Sequence, residues 1–267
     1  MTGLCAVVLA AGEGRRLRPL TEVVPKALCP VGNVPLLDLT LARLAALGLA
    51  GPDRVAVNAC HLADQVVTAV GDRAHLSVEP GPRPLGTSGG VARLRDWIGG
   101  RGVLVANADA YLAGGDIAAL LSGWDGHTVR LLGVPDGRPE FGRHRFAGHS
   151  LLPWSRVVQL VEEPSELVRT AWRPAEAAGE LTVVEYGGTF LDTGTPHDYL
   201  AANLHAAAGL TAPDATVRGL AKRSVIGSGA VVEGTVDECV VWPGGRVGAG
   251  EYLTHVIRYG RSGTVAG

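Results

Sequence analysis

The chain has 267 residues, 46% of them hydrophobic and 19% charged, with a formal net charge of −2. That length holds a full α/β core and a small second module, the near-neutral charge argues against nucleic acid as a partner, and no apolar run reaches the ~18 residues of a membrane span. Cys5, Cys29, Cys60 and Cys239 are scattered without a Cys-x-x-Cys pair, and no basic-then-apolar leader with a cleavage site opens the chain, so the expectation is a cytoplasmic protein with reduced thiols and no zinc site.

The first predicted element is Leu4–Leu9, an apolar run long enough for one buried strand of a parallel sheet. It stops at Gly12 and Gly14, and Arg15, Arg16, Pro19 and Lys26 follow. A strand that ends in a glycine loop sets bare backbone N–H groups at the carboxyl edge of a sheet, where ligands of open α/β sheets bind. The two glycines permit close approach and a tight turn, and Arg15, Arg16 and Lys26 can neutralise an anion. The chemistry reads as polyphosphate. A Walker loop would need Gly-Lys-Ser/Thr after the second glycine, and a dinucleotide fingerprint a small residue at position 17, where Leu17 stands. Gly-x-Gly alone is equally a strand-ending turn. Lysine occurs only at Lys26 and Lys222, so a lysine inside this loop points to a need for a compact ammonium there.

The full string Leu9-Ala10-Ala11-Gly12-x-Gly14-x-Arg16-Leu17-x-Pro19-Leu20-Thr21-x-x-x-Pro25-Lys26 resembles the first signature of the sugar-1-phosphate nucleotidylyltransferases, the NDP-sugar pyrophosphorylases. Arg15 stands where that family has Thr or Ser. The likeness is nearest to the GDP-mannose type, up to Thr21 and again at Asn58 to His61. It implies that Leu9, Ala10, Ala11, Gly12, Glu13, Gly14 and Arg15 line a nucleotide, that Arg16 holds the leaving pyrophosphate, and that Lys26 holds the α-phosphate or the incoming phosphate.

Downstream, the spacing of Leu37, Leu41 and Leu44 predicts a helix over Pro35–Leu47, closed by Gly48. Val55–Val57 reads as a strand ending at Asn58, Leu62–Val70 as an amphipathic helix, and Leu76–Glu79 as a strand. This alternation predicts a doubly wound sheet. A Pro/Gly-rich loop follows to Gly90, with a helix from Ser88 to Ile98. In the plain reading Thr87 or Ser88 caps that helix. By resemblance, Gly86-Thr87-Ser88-Gly89-Gly90 looks like the family's Gly-Thr-Ala-Gly segment, which puts Gly86 and Thr87 near the nucleotide base. Val103–Ala106 is the next strand, ending in Asn107-Ala108-Asp109. A strand-end carboxylate there suits magnesium, which takes a few carboxylate oxygens and fills its shell with phosphate and water. The triplet resembles the family's Asn-Gly-Asp element, which implies Asn107 at the nucleotide and Asp109 on the metal.

Asp116 is expected to cap a helix to Leu121, and Thr128–Val134 to form a strand. Phe146-Ala147-Gly148 resembles the start of the family's Asn-Ala-Gly-Ile-Tyr strand. The Glu-Lys-Pro motif whose lysine holds the sugar phosphate in that family has no counterpart before it. Glu162-Glu163-Pro164 has Glu for Lys, comes after the strand, and reads as a helix-ending loop with solvated acids. Arg143 or Arg145, beside Gly148, would have to supply the charge toward a sugar phosphate, or else these arginines belong to a surface loop. Ser165–Ala178 reads as helical pieces, and Leu181–Tyr186 and Thr189–Leu191 as strands. Asp192-Thr193-Gly194-Thr195-Pro196, followed by a helix through Tyr199, Leu200 and Leu204, resembles Trp-x-Asp-x-Gly-Thr-Pro-x-x-Tyr-Leu, with Phe190 in place of Trp. It implies Asp192 as the second metal ligand.

After a linker over 209–213, Ser224–Gly234 has the Ile-Gly-x-Gly-Ala-x-Val cadence of hexapeptide-repeat β-helices. Two to three coils are few for a free solenoid, so they lean on the first domain or pair as a homo-oligomer. The expected fold is therefore α/β, a doubly wound, mixed but mostly parallel Rossmann-like sheet over 1–208, then a short left-handed β-helix over 214–267. The implied reaction joins a nucleoside triphosphate to a sugar or sugar-like 1-phosphate with Mg2+ or Mn2+, without nucleic acid or membrane partners. Two rivals stand beside it: a pyrophosphorylase-like subunit that binds without chemistry, and an acyltransferase working from the coils, for which His255 alone is thin support.

Overall fold

The computed structural model describes residues 3–267. They form two compact units: one runs to Glu13 and resumes over Leu37–Phe190, the other takes Gly14–Leu36 and Leu191–Gly267. No helix among the described residues is long and apolar enough to cross a membrane.

In the first unit Leu4–Leu9 (β1), Val55–Ala59 (β2), His75–Val78 (β3), Gly102–Asn107 (β4), Val129–Pro135 (β5), His144–Leu152 (β6) and Leu181–Glu185 (β7) form one sheet, in the order β7-β5-β6-β4-β1-β2-β3. β1 pairs in parallel with β2 and β4, β2 with β3, and β5 with β7. Only β6 runs the other way, antiparallel to β4 and β5. The sheet is thus mixed and mostly parallel, as expected. Cys5, Ala6, Val7 and Val8 are all 0% exposed. Successive strand residues face opposite sides, so β1 is covered on both, which is why its sequence is an unbroken apolar run. On one face Cys5, Val7, Val103 and Val105 share a core with Val91, Ile98, Val157 and Trp172.

The α-helices of this unit are α1 (Leu36–Ala46), α2 (Ala63–Val70), α3 (Gly86–Arg93), α4 (Arg95–Ile98), α5 (Trp154–Val157) and α6 (Arg173–Ala177), the last entered through a π-helical turn over Val168–Trp172. The single helix expected from Ser88 to Ile98 starts earlier, at Gly86, and breaks at Leu94, whose ψ of 7° leaves the helical range. Asp116 does cap, accepting from the Ala118 N–H at 2.7 Å, but only a 3₁₀ turn over Ala118–Leu120 follows.

In the second unit, Pro196–Ala207 (α7) precedes three short sheets with parallel rows, the third ended by the antiparallel strand Gly263–Ala266. Their rows are Thr216, Val231 and Arg246; Leu220, Thr235 and Tyr252; and Val225, Val240 and Ile257. This is the β-helix anticipated from the repeat cadence. Ile226, Val232, Val236, Val241 and Val247 point inward and make its core. Residues 209–213 are pinned to it, with the Ala212 N–H on the Ile226 carbonyl at 2.9 Å. The coils lean on α7 and on a hairpin over Pro30–Pro35. Trp242 Nε1 donates to the Tyr199 hydroxyl at 3.0 Å, which itself donates to the Pro30 carbonyl. Asn33 Nδ2 donates to the Ile226 carbonyl at 2.9 Å, and the Gly32 N–H to Asn203 Oδ1 at 3.1 Å.

One buried group ties this fold to pH. His149 on β6 is fully buried; burial, with the Arg43 charge second, pushes its pKa down to about 3 from 6.5. As pH falls below 6.5 the unfolded chain takes up a proton that the folded state refuses, so stability present above that point is lost between pH 6.5 and about 3. The slope from this residue alone approaches about 1.4 kcal/mol per pH unit. Urea unfolding followed from pH 7 to 4 should show a shallower decline in His149→Leu than in the parent; parallel curves would mean that His149 is protonated in the folded state.

Candidate active site

The carboxyl edge of the first unit's sheet is level. Leu9 on β1 stands in register with Asn58 on β2 and with Asn107 on β4. The Ala108 N–H extends the β1–β4 ladder by one rung, to the Leu9 carbonyl at 3.1 Å, and the Ala10 N–H donates instead to the Asn58 side chain, at Oδ1, 2.7 Å away. Asn107 and Asp109 are half-buried along this edge. Gly148 on β6 belongs to it too: its φ is +77°, and a Cβ there would lie 2.3 Å from the Ala110 Cβ. No side chain fits at that position.

Gly86, Thr87, Gly89 and Gly90 open α3 and are packed tightly within this unit. A Cβ on Gly86 would meet the Ser165 carbonyl oxygen at 2.4 Å, and one on Gly89 the Glu163 carbonyl oxygen at 2.4 Å. The Thr87 hydroxyl does not cap its own helix: it donates to Glu166 Oε2 at 2.7 Å and accepts from the Leu167 N–H at 2.8 Å. The loop 162–166 is therefore a wall for this segment. Its acids are exposed, but Glu162 is paired with Arg93 Nη1 at 2.5 Å.

Sequence reasoning also missed Glu79. It is 4% exposed, accepts from Asn58 Nδ2 and from the Leu85 N–H, each at 2.7 Å, and so joins the β1 edge to the start of α3. Burial raises its pKa, against the pull of those two hydrogen bonds.

In the second unit Arg16, Lys26 and Asp192 come together. Arg16 Nη2 lies 3.5 Å from Asp192 Oδ2, and Lys26 Nζ 3.8 Å from Asp192 Oδ1. Gly14 makes the turn that brings Lys26 in. Its φ is +61°, and a Cβ there would fall 2.7 Å from Thr21 Cγ2 and 3.2 Å from Lys26 Cβ. The Thr21 hydroxyl closes the turn on the Gly14 carbonyl at 2.9 Å. On the other side Gly194 leaves room for the guanidinium, since a Cβ there would lie 2.6 Å from Arg16 Nη2 and 3.0 Å from Asp192 Oδ1. Thr195 caps α7, accepting from the Asp198 N–H at 3.2 Å, and Pro196 supplies the first helical residue. The string Asp-Thr-Gly-Thr-Pro is thus a carboxylate, a gap and a helix start in succession. Arg15 is exposed, while Asp192 is half-exposed.

Arg143 and Arg145 are each held by an acid of the first unit. Arg143 Nη2 and His144 Nε2 meet the same Glu185 oxygen at 2.7 and 3.0 Å, which holds that carboxyl below its usual range. Arg145 Nε lies 3.4 Å from Asp136, and its guanidinium sits over the Phe190 ring at 5.1 Å.

This is the fold of the nucleotidyltransferases. A solved structure from Bacillus anthracis, described as a glucose-1-phosphate thymidylyltransferase in complex with a sucrose, matches it with a TM-score of 0.64 at 18% identity, covering 79% of this chain and 97% of that one. The chain belongs to the family described as the MobA-like NTP transferase domain, which matches residues 6–193. This agrees with the resemblance carried by the first signature. An N-acetylmuramate alpha-1-phosphate uridylyltransferase of Neisseria meningitidis serogroup B is 37% identical over 39% of this chain and 46% of its own length. A mannose-1-phosphate guanylyltransferase of Mycobacterium tuberculosis is 34% identical over 50% of this chain and 38% of its own. The chain thus spans about half or less of the length of these relatives.

The two loop glycines should separate on substitution. Gly14→Ala meets both a left-handed backbone and Thr21, and should lose roughly 1–3 kcal/mol of stability. Gly12→Ala puts its Cβ in open space, and should change stability by no more than ~0.5 kcal/mol. Equal losses in chemical denaturation would show that the turn is not set at Gly14.

Proposed function

We propose that the chain joins a nucleoside triphosphate to a sugar 1-phosphate or sugar-like 1-phosphate, releasing pyrophosphate. The observation that carries this reading is the convergence of Arg16 and Lys26 on Asp192 behind the Gly14 turn. Family membership and the names of the relatives support it. In the step proposed, a sugar-phosphate oxygen attacks the α-phosphorus, the bond to the β-phosphate's bridging oxygen breaks, and pyrophosphate leaves. The attacking phosphate is already an anion, so no residue has to remove a proton. Such transfers depend on alignment and charge neutralisation. Arg16 is assigned the leaving pyrophosphate and Lys26 the α-phosphate or the incoming phosphate. The backbone of Leu9 through Arg15 is assigned the triphosphate, and Gly86, Thr87 and Asn107 the nucleoside.

Asp109 and Asp192 are assigned to Mg2+ or Mn2+. Among the described residues no three His, Cys, Asp or Glu side chains gather into a cage of their own. Hard carboxylate oxygens offered singly suit an ion that takes the rest of its shell from phosphate and water. When bound, it would neutralise charge that builds on the phosphate oxygens. Arg143 and Arg145 are assigned to the sugar phosphate with Gly148 beside them, by exchange of Glu185 and Asp136 for the phosphate.

Pyrophosphate release should be measured for five nucleoside triphosphates against several sugar 1-phosphates, with UTP and GTP tested first. Asp109→Asn and Asp192→Asn should each lower Mg2+-dependent turnover by roughly a hundredfold or more. Turnover like the parent's in both would remove the metal assignment, and tight binding without turnover in the parent would favour a non-catalytic subunit. Lys26→Arg should also lose roughly tenfold or more, because a planar guanidinium replaces a point charge in an enclosed position. Unchanged kinetics would make Lys26 a bystander.

A further inference from the structure

We propose that Asn58 and Glu79 are positioning residues, a buried couple that fixes the separation between the β1 edge and the start of α3 and thereby sets affinity for the nucleotide. The proposal rests on the reading of those two segments as the nucleotide's walls. Asn58 is 1% exposed and Glu79 4%. The chain of bonds is continuous: the Ala10 N–H donates to Asn58 Oδ1, Asn58 Nδ2 donates to Glu79 Oε1, and the Leu85 N–H donates to Glu79 Oε2, all at 2.7 Å. Glu79 is anchored at its own backbone, its N–H on the Ala59 carbonyl at 2.8 Å. Gly90 closes over the couple so tightly that a Cβ would fall 2.6 Å from Asn58 Nδ2 and 3.0 Å from Glu79 Oε1.

Nothing in the proposed chemistry uses this carboxylate, and an acid buried at such depth costs stability unless it is matched. Its two oxygens are matched to two N–H groups from two different segments. The arrangement is directional. Asn58 must accept toward Ala10 and donate toward Glu79, and Glu79 must accept at both ends. The spacing of Ala10 and Leu85 is therefore held by donor and acceptor polarity as well as by shape.

That polarity gives the test. In Glu79→Gln the new carboxamide must turn an N–H₂ toward a donor, whichever way it faces. In Asn58→Asp two carboxylates face each other. In the double variant the polarity is reversed and every contact is matched again: the new carboxylate accepts from Ala10 and from the new carboxamide, whose oxygen accepts from Leu85. Calorimetric titration with nucleoside triphosphate and Mg2+ should show each single variant weakened roughly ten- to hundredfold, and the double variant restored to within about threefold of the parent. KM for the nucleotide should rise in the single variants while KM for the sugar 1-phosphate stays unchanged. Amide exchange at Ala10 and Leu85 should speed up in the single variants and slow again in the double. Gly90→Ala, which displaces the couple without changing its chemistry, should also weaken nucleotide binding.

A parent protein that binds nucleotide, with single variants within threefold of it, overturns the couple alone. Single variants that weaken both substrates equally, or a double variant no better than either single, overturn it too. A parent that binds no triphosphate overturns the nucleotide reading, and this proposal with it.

Discussion

The register of three parallel strands governs the carboxyl edge of the first unit's sheet. Leu9, Asn58 and Asn107 stand level, so three chains leave the sheet at the same height. Beyond that row the Ala108 N–H makes the last rung of the β1–β4 ladder, on the Leu9 carbonyl, whereas the Ala10 N–H takes the Asn58 side chain in place of a backbone partner. The loops that follow are therefore placed by the strands and not by their own preferences. A slip of one residue in β1 would exchange the residues it offers to its two buried faces and move Ala10 off Asn58 together.

The loop glycines differ in what the protein itself asks of them. At Gly14 the protein itself requires it, because the backbone is left-handed and Thr21 and Lys26 crowd the space. The same holds where Gly86 and Gly89 meet carbonyl oxygens of the 163–165 backbone and where Gly90 meets Asn58 and Glu79. At Gly12 nothing in the protein stands within 4 Å of a Cβ, and its φ is not positive.

The strands of the central sheet could be read from the sequence because burial on both faces erases alternation and leaves plain apolar runs, as in Leu4–Leu9 and Val103–Ala106. Gly14, Lys26 and Asp192 were visible as a motif because each residue type has one strong chemical reason to be there. Glu79 was not visible. In the sequence it is an acid at the head of a Pro/Gly loop, where solvation is the natural reading, and only the return of Asn58 and Leu85 to its two oxygens makes it a buried strut. Glu166 was hidden in the same way, since Thr87 looks like a helix cap until the partner of its hydroxyl is known. The break at Leu94 carries no Gly or Pro to announce it. The contacts that decide these cases join residues far apart in the chain, and local pattern holds no record of them.

Arg16, Lys26 and Asp192 combine two cations with one carboxylate, and the two cations are not equivalent. The Arg16 side chain is 70% exposed, so water screens its pair with Asp192 and that pair contributes little to stability. The Lys26 side chain is 11% exposed, and its attraction to the same carboxylate acts through a medium of lower dielectric. Asp192 is therefore held chiefly by Lys26. The exposed cation is a forked guanidinium that can grip two oxygens at once, with Gly194 beside it. A compact ammonium suits the enclosed position and a planar fork the open one. In a chain that otherwise uses arginine for nearly all its cations, this difference in enclosure is a physical reason for the lysine at position 26.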